Sequence, residues 1–474
     1  MITLYLNTDG KEPLYMQLYI QIRDAILEGK IYPQEKIPSK RKLAEDLGVS
    51  VQTVENAYGQ LTAEGYIYSK PKSGYYVEDV SVFFQYSKTD RVKQYEHIVI
   101  KKKNKADVAY DFSTNVVDDI EFPYENWSKE FRNVFAERIL FDINGSSPSG
   151  LEYLQTEIAG YLYRYRGISA NPRSIIIGSG TEYTIMLIRL LLGDNRKIGV
   201  ENPGYPKLMR MYEAMGISTV PINLDENGIK IDMLTESEAN LVHVTPSHQF
   251  PCGMVMPASR RSVLLKWAEI KNDRYIIEDD YDSEFRFSGA PIRAMKSLDF
   301  NDRVIYVNSF AKSLFPGLRV NYMVFPDHLA KKLESDYSYI TCPVPVFVQQ
   351  FLADNINTGK FEQHLARMKK IYKSKRDALI YALSQSRLTE NFGIKGEEAG
   401  LHFLLESQSE IDELKYMENA KKAGIKIKGL REFCLKKIPL ASSFVMGYSK
   451  MEKTAMTSAV TALENVFCML DPKM

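Results

Sequence analysis

Between residue 109 and residue 474 short apolar runs alternate with segments of helical periodicity, and each run ends in a polar or glycine-rich turn. The runs are SIIIGSG, KIGVENPG, LVHVTPS, YIIEDDY and RVIYVNSF, and the helical segments include EYTIMLIRLLLG and RRSVLLKWAEIKN. Runs this short cannot be separate helices, and their alternation with helices predicts parallel strands joined by crossover helices, an α/β architecture. In open α/β sheets ligands gather outside the carboxyl ends of strands, so the turns that close these runs are where chemistry is expected. No internal repeat and no biased tract interrupts the pattern.

The first eighty residues follow a different plan. Pro13 to Gly29 sets Leu14, Leu18, Ile22, Ala25 and Ile26 at helical spacing, with Gly29 suited to end the helix. Ser39 precedes the short stretch KRKLAEDLG, which Gly48 closes, and Ser50 offers a side-chain oxygen to start VQTVENAYGQLTAEG. Two helices joined by GVS make a helix-turn-helix. Tyr66 to Tyr68 and Tyr75 to Val77 flank the basic turn SKPKSG, which predicts a hairpin. The expected division is therefore a winged helix over 1–80, a polar linker over 81–108 carrying the basic run KKKNK, and a large domain over 109–474.

At 474 residues the chain exceeds one ordinary domain, and 45% apolar with 26% charged residues is an average globular composition, which excludes disordered and fibrous classes. No stretch of about 18 apolar residues exists, and the N-terminus lacks the basic start, apolar centre and cleavage site of a signal peptide. A cytoplasmic protein without membrane contact is expected. Cys252, Cys342, Cys434 and Cys468 form neither a CxxC pair nor a disulfide framework and read as reduced thiols. A net charge of +1 gives no global case for nucleic acid. The local case is better: within 1–80 acids outnumber bases, yet the bases cluster at Lys36, Lys40, Arg41 and Lys42 and again at Lys70 and Lys72.

The stretch IPSKRKLAEDLGVSVQTVENAYGQLTAEGYIYSKPKSGYYV resembles the GntR family of winged-helix regulators along nearly its whole length. That resemblance implies operator DNA as a partner, read by dimers with the second helix in the major groove. It implies DNA contacts for Ser39, Lys40, Arg41, Ser50, Gln52 and Thr53, with Lys70 and Lys72 on the wing. One departure is Val51, where the family often carries arginine.

In the large domain the decisive stretch is VNSFAKSLFPGLRVNY. A lysine after a strand, with an arginine seven positions on, suits pyridoxal 5'-phosphate: Lys312 for a Schiff base, Ser309 and Arg319 for the phosphate. In GSGTEYT, Ser179, Gly180 and Thr181 place backbone N–H groups and hydroxyls at a helix start, where a phosphate can be cradled. Tyr205 in ENPGYPKL is placed to stack on a pyridine ring. In IIEDDYDSEFRF, Asp279 can keep the ring nitrogen protonated and Tyr281 can reach the phenolic oxygen.

In this order and spacing the motifs resemble fold type I aminotransferases over roughly 109–474. VTPSHQFPCG, RRSVLLKWA, EDDYDSEFRF and SFAKSLFPGLR look like the MocR subfamily, whose best-known member regulates γ-aminobutyrate use. The resemblance implies a multidomain fold: a winged helix-turn-helix (α+β) fused to an α/β, fold type I, pyridoxal phosphate-dependent aminotransferase-like domain, in a head-to-tail homodimer. It implies a transcription regulator that senses an amine or amino acid through aldimine exchange at Lys312. Two departures bear on turnover. The turn Phe250-Pro251-Cys252-Gly253 lacks the asparagine that aminotransferases often carry before that proline, and SSFVMGYS lacks the arginine they usually carry for a substrate carboxylate. Arg431 and Lys207 remain for an effector's acidic end, although a lysine lacks the planar fork that grips a carboxylate twice. Two alternatives stay open: a true aminotransferase with a DNA-binding appendage, and a regulator whose large domain is only a scaffold.

Overall fold

The computed structural model describes residues 4–7, 12–80, 108–114, 117–118, 122–136, 147–289, 291–436 and 441–470. The expected linker, with its KKKNK run, lies outside the described residues apart from Val108. The chain divides into two compact units, Met1–Asn104 and Lys105–Met474.

In the smaller unit helix α1 (Leu14–Leu27) is followed by the short strand β1 (Lys36–Ile37), helices α2 (Lys40–Leu47) and α3 (Val51–Ala63), and the hairpin β2 (Ile67–Lys70) and β3 (Gly74–Val77). The local signals act as the sequence predicts. The Ser39 side chain accepts from the Lys42 N–H, the Ser50 side chain accepts from the Thr53 N–H, and Gly48 ends α2 at φ 66°. Caps of this kind contribute about 1 kcal/mol each. One sheet in the order β1-β3-β2 carries the wing. Leu18, Ile22, Ile26, Val54, Ala57, Leu61, Ile67 and Val77 close the core between the helices and the sheet. Each large aliphatic among them contributes roughly 1.5–3 kcal/mol through burial.

The larger unit is built on eight strands: β5 (Ile175–Gly178), β6 (Lys197–Asn202), β7 (Ser218–Asp225), β8 (Gly228–Ile229), β9 (Leu241–Val244), β10 (Tyr275–Asp279), β11 (Val304–Ser309) and β12 (Asn321–Val324). An earlier strand, β4 (Tyr110–Asp111), pairs elsewhere. The sheet order is β5-β12-β11-β10-β9-β6-β7-β8. β6, β9, β10 and β11 run parallel, as predicted, and β7, which the named runs do not include, lies parallel beside β6. β12, a strand that the named runs do not include, runs antiparallel to both β11 and β5, so the sheet is mixed. The reason is length: Phe310–Asn321 holds one helical turn and a 3-10 turn, too short for a crossover helix. Both sheet faces are covered, which is why the strands read as continuous apolar runs rather than alternating ones.

A second layer follows in β13 (Phe392–Lys395), β14 (His402–Ser407), β15 (Ile425–Lys426), β16 (Lys428–Gly429) and β17 (Ser443–Gly447). Four of these form an antiparallel sheet, β13-β14-β17-β16, while β15 pairs in parallel with β4. Phe403, Phe444, Leu463 and Phe467 pack this sheet against the helices Lys360–Ser384 and Met456–Leu470. The carboxyl ends of β9, β10 and β11 open toward one cavity, at the place the fold type reserves for a ligand.

Candidate functional site

The cavity has a volume of about 230 Å³ and gathers Thr181, Tyr205, Asp279, Tyr281, Ser309 and Lys312, all singled out from sequence, from four separate strand ends. Lys312 sits in the single helical turn Phe310–Ser313 after β11. Its Nζ donates to the Thr114 carbonyl oxygen at 2.6 Å. Burial lowers its amine to about 8, with Asp282 opposing that shift. A lysine held near 8 carries an appreciable fraction of free amine at neutral pH, which is what a nucleophile requires. Labelling of Lys312 by an amine-directed reagent, followed by peptide mass spectrometry, should therefore reach half its limiting rate near pH 8. Half-maximal labelling near the ordinary lysine value would refute the buried placement.

Asp279 ends β10 and meets His243 Nε2 at 3.2 Å, while His243 Nδ1 meets the Tyr212 hydroxyl at 2.8 Å. Burial, and then Asp279, hold the Tyr212 phenol well above its ordinary value. A hydroxyl that stays protonated can donate to Nδ1, which leaves the Nε2 proton to donate to Asp279. Tyr281 donates to the His248 carbonyl oxygen at 3.1 Å and lies 3.0 Å from His248 Nδ1, which also meets Asp282 Oδ2 at 2.9 Å. The His402 ring packs 4.6 Å from that of His248. Burial, then His248 and Lys312, hold His402 well below the usual imidazole range, so it is neutral and donates from Nε2 to the Pro251 carbonyl. Glu201 also faces the cavity. Burial pushes its carboxyl up to about 7 although Thr245 and Gln249 donate to Oε2, and Oε1 has no partner among the described residues.

The glycine turn departs in one detail from its sequence reading. The Gly180 N–H is already taken by Asn321 Oδ1 at 2.7 Å, so it is not free to cradle an anion. The requirement for glycine is steric instead. Gly180 has φ 98°, and a Cβ there would lie 2.1 Å from Arg319 Nη2, so the guanidinium closes over the turn only because no side chain is present. Arg319 Nη2 reaches the Ser179 carbonyl at 3.3 Å and Glu182 Oε2 at 2.7 Å, and Lys207 Nζ takes Glu182 Oε1 at 3.1 Å. Burial works against ionisation of Glu182, yet the helix N–H and these two cations hold its carboxyl down to about 2. Tyr205 stands over the cavity with its ring 5.6 Å from that of Phe250.

The two residues expected to meet an effector acid lie apart. Lys207 lines an adjoining cavity of about 520 Å³ together with Tyr205 and Thr114. Arg431 lines neither cavity. Its Nη2 pairs with Glu410 Oε1 at 3.2 Å and its backbone N–H donates to Glu413 Oε2 at 2.9 Å. Sequence reading missed His243, Glu201, His248, Asp282 and His402. The available signal was a polar residue inside or just after an apolar run, as in LVHVTPS and KIGVENPG.

A phosphorylated pyridine aldehyde fits this set on the structure's own terms. A glycine turn closed by an arginine suits a phosphate, a carboxylate at a strand end suits a protonated ring nitrogen, and a deprotonatable lysine lies between them.

In the smaller unit Ser50, Gln52 and Asn56 are exposed on α3, with Gln52 Nε2 bonded to Asn56 Oδ1 at 3.0 Å. Thr53 is half-buried, its hydroxyl 2.9 Å from that of Ser50. Ser39 and Arg41 lie at the exposed start of α2, and Arg41 makes no ion pair among the described residues. Lys40 is drawn inward to Glu55 Oε1 at 2.6 Å, with its amine 5.5 Å from the Tyr75 ring centre, so its charge is already partly spent. Lys70 packs its amine 4.5 Å from the Tyr76 ring centre on the wing. Lys72 stands exposed at the tip of the turn with φ 62°.

Residues 14–77 match the family of bacterial regulatory proteins of the gntR type. The chain is 39% identical over 426 residues to the HTH-type transcriptional regulator YdeL of Bacillus subtilis, covering 90% of this chain and 91% of that one. It is 30% identical over 481 residues to the probable rhizopine catabolism regulatory protein MocR of Rhizobium meliloti, covering 99% and 96%. Among solved structures it is similar to the Pyrococcus horikoshii kynurenine aminotransferase, at a TM-score of 0.67 and 24% identity over 83% of this chain and 98% of that one. That last likeness shows the fold of the larger unit.

Proposed function

Because the chain belongs to the MocR subfamily of GntR-type helix-turn-helix transcription regulators, we propose that its larger unit binds pyridoxal 5'-phosphate and senses an amine or amino acid, and that its smaller unit reads operator DNA accordingly. The observation that carries the reading is the convergence of Lys312, Asp279, Tyr281, Tyr205, Thr181 and Ser309 on one cavity in a chain that opens with a winged helix. Arg319, Ser179 and Thr181 would hold the phosphate, Asp279 the ring nitrogen, Tyr281 the phenolic oxygen, and Tyr205 the ring face. Bound there, the cofactor would supply an aldehyde carbon reactive toward amines; Lys312 would be the amine the site itself presents to it, and the effector the amine that competes with Lys312.

The chain's own residues set the conditions for that exchange. Burial keeps Lys312 near 8, so it leaves and returns as a free amine at little cost in protonation. His243, fixed by Tyr212, donates to Asp279 and holds that carboxylate in place. With Phe250 in place of an asparagine, and no arginine on β17, exchange is favoured over repeated turnover. As a free amine Lys312 donates to the Thr114 carbonyl, a bond it would give up on condensing with the cofactor and could regain when an effector displaces it, which would connect occupancy of the site to the segment after β4. Two such sites in a head-to-tail homodimer would bias the placement of two DNA readers, provided the effector binds one arrangement better than the other.

The DNA half is tested separately. Arg41→Ala or Lys72→Ala should weaken binding to every sequence and flatten the salt slope by up to about one unit each. Gln52→Ala should instead relax preference at particular operator positions, at about 1–3 kcal/mol. A salt titration in gel-shift on the promoter upstream of the protein's own gene separates the two behaviours; identical losses from all three variants would refute the assignment.

A further inference from the structure

A second cavity in the larger unit also measures about 230 Å³ and shares no lining residue with the Lys312 site. Its walls come from the end of the helix Glu152–Arg166, the loop after β10 and the first half of the helix Lys360–Ser384. Tyr161 and Tyr165 give it an aromatic side, and Arg166, Glu284, Arg286, Glu362 and Lys369 give it a charged one.

Four buried polar atoms of these walls have no partner among the described residues: Arg166 Nε, Arg286 Nε, Glu284 Oε2 and Glu362 Oε2. Arg166 is only 4% exposed, and its other nitrogens are used, Nη1 by the Ile292 carbonyl and Nη2 by the Ser247 hydroxyl at 2.8 Å and Asp280 at 2.7 Å. Glu362 spends Oε1 on Arg164 at 3.0 Å, and Glu284 spends Oε1 on Asn308 at 3.3 Å. Arg286 and Lys369 make no ion pair among the described residues. An unmet buried polar group costs about 1–3 kcal/mol, and more when charged. Two donors and two acceptors left open in one small cavity ask for an occupant that both accepts and donates.

We propose that this cavity is a second small-molecule site whose ligand is a free amino acid zwitterion, with its ammonium at Glu284 and Glu362 and its carboxylate at Arg286 and Lys369. Burial, and then Asp280, push the Glu284 carboxyl up to about 7, a deficit of positive charge that an arriving ammonium corrects. Arg286 and Lys369, without an ion-pair partner among the described residues, supply the complementary deficit of negative charge. The tyrosines provide a wall for a small aliphatic side chain. The loop Ser283–Arg286 begins two residues after Tyr281, so an occupant would press on the segment that carries a cofactor-site residue, yet the assignment does not rest on the Lys312 site.

Equilibrium dialysis of radiolabelled glycine against the full chain carrying Lys312→Ala tests this without amine exchange at the first site. The expected result is saturable binding of one equivalent at millimolar glycine, displaced by L-alanine but not by equal glycinamide or acetate, each of which lacks one of the two charges. Arg286→Gln and Glu284→Gln should each weaken it at least tenfold, Lys369→Gln should do so at a position less embedded in the fold, and Tyr205→Ala should leave it unchanged. Absence of saturable binding, which would mean that the cavity holds water alone, overturns the proposal. So does binding that Tyr205→Ala removes and Arg286→Gln spares, or that glycinamide displaces as well as alanine. The visible absorption of the unsubstituted protein with cofactor reports the Lys312 site independently, so the failure of either reading is seen apart from the other.

Discussion

Lys312→Ala is expected to abolish covalent retention of pyridoxal phosphate. The visible absorption band of the wild-type complex, which borohydride should bleach and fix, should be missing from the variant after dialysis, while its far-ultraviolet circular dichroism stays unchanged. No other lysine lines the cavity among the described residues, and the nearest alternative, Lys207, lies in the adjoining cavity paired with Glu182. The effect should be a loss rather than a reduction, because a covalent bond needs its nucleophile and no second amine is placed to substitute. A band of equal intensity surviving dialysis and reduction would show that another residue carries the cofactor.

Asp280→Ala should be the most destabilising single substitution in the loop after β10. Successive strand residues point to opposite faces, so Asp279 turns to the cavity while its neighbour Asp280 turns inward, where it meets Arg166 Nη2 at 2.7 Å and accepts from the Tyr306 hydroxyl at 2.6 Å. The two side chains are 0% and 4% exposed. Removing one partner leaves a guanidinium buried without its counter-charge, which costs about 3–5 kcal/mol, whereas an exposed pair contributes under about 1 kcal/mol. Denaturant unfolding of the full chain measures it; a loss below about 1 kcal/mol would show that Arg166 is satisfied by its bonds to Ile292 and Ser247.

Much of this was legible because it is local. Ser39, Gly48 and Ser50 announce the helix-turn-helix through capping chemistry that needs no tertiary information, and Lys70 to Gly74 announce the wing by turn propensity. The order of apolar runs placed Lys312, Asp279 and Tyr281 at strand ends before any fold was known. The rest depends on pairs distant in sequence. Asn321 reaches back 141 residues to occupy the Gly180 N–H, and Tyr212 orients His243 from 31 residues away. Strand direction is likewise not written in an apolar run, and β12, which none of the named runs covers, turns back antiparallel because its connection leaves no room for a crossover. Arg431 is a charge in the right stretch of sequence, but it pairs with Glu410 and Glu413 and lines neither cavity. Nothing in KGLREFC shows that those acids will be its neighbours.

The central claim is that amine occupancy at Lys312 changes how the chain meets DNA, and one titration addresses it directly. Purified full-length protein loaded with pyridoxal phosphate is mixed with labelled promoter DNA, and candidate amines and amino acids are added while the visible spectrum and the DNA-bound fraction are recorded on the same sample. The account predicts an amine whose spectral change and change in DNA binding share one midpoint, with both responses absent in Lys312→Ala and little keto product after long incubation. Amines that alter the spectrum and leave DNA binding unchanged, with rapid and repeated conversion to keto product, would contradict it and leave an aminotransferase that carries a DNA-binding appendage.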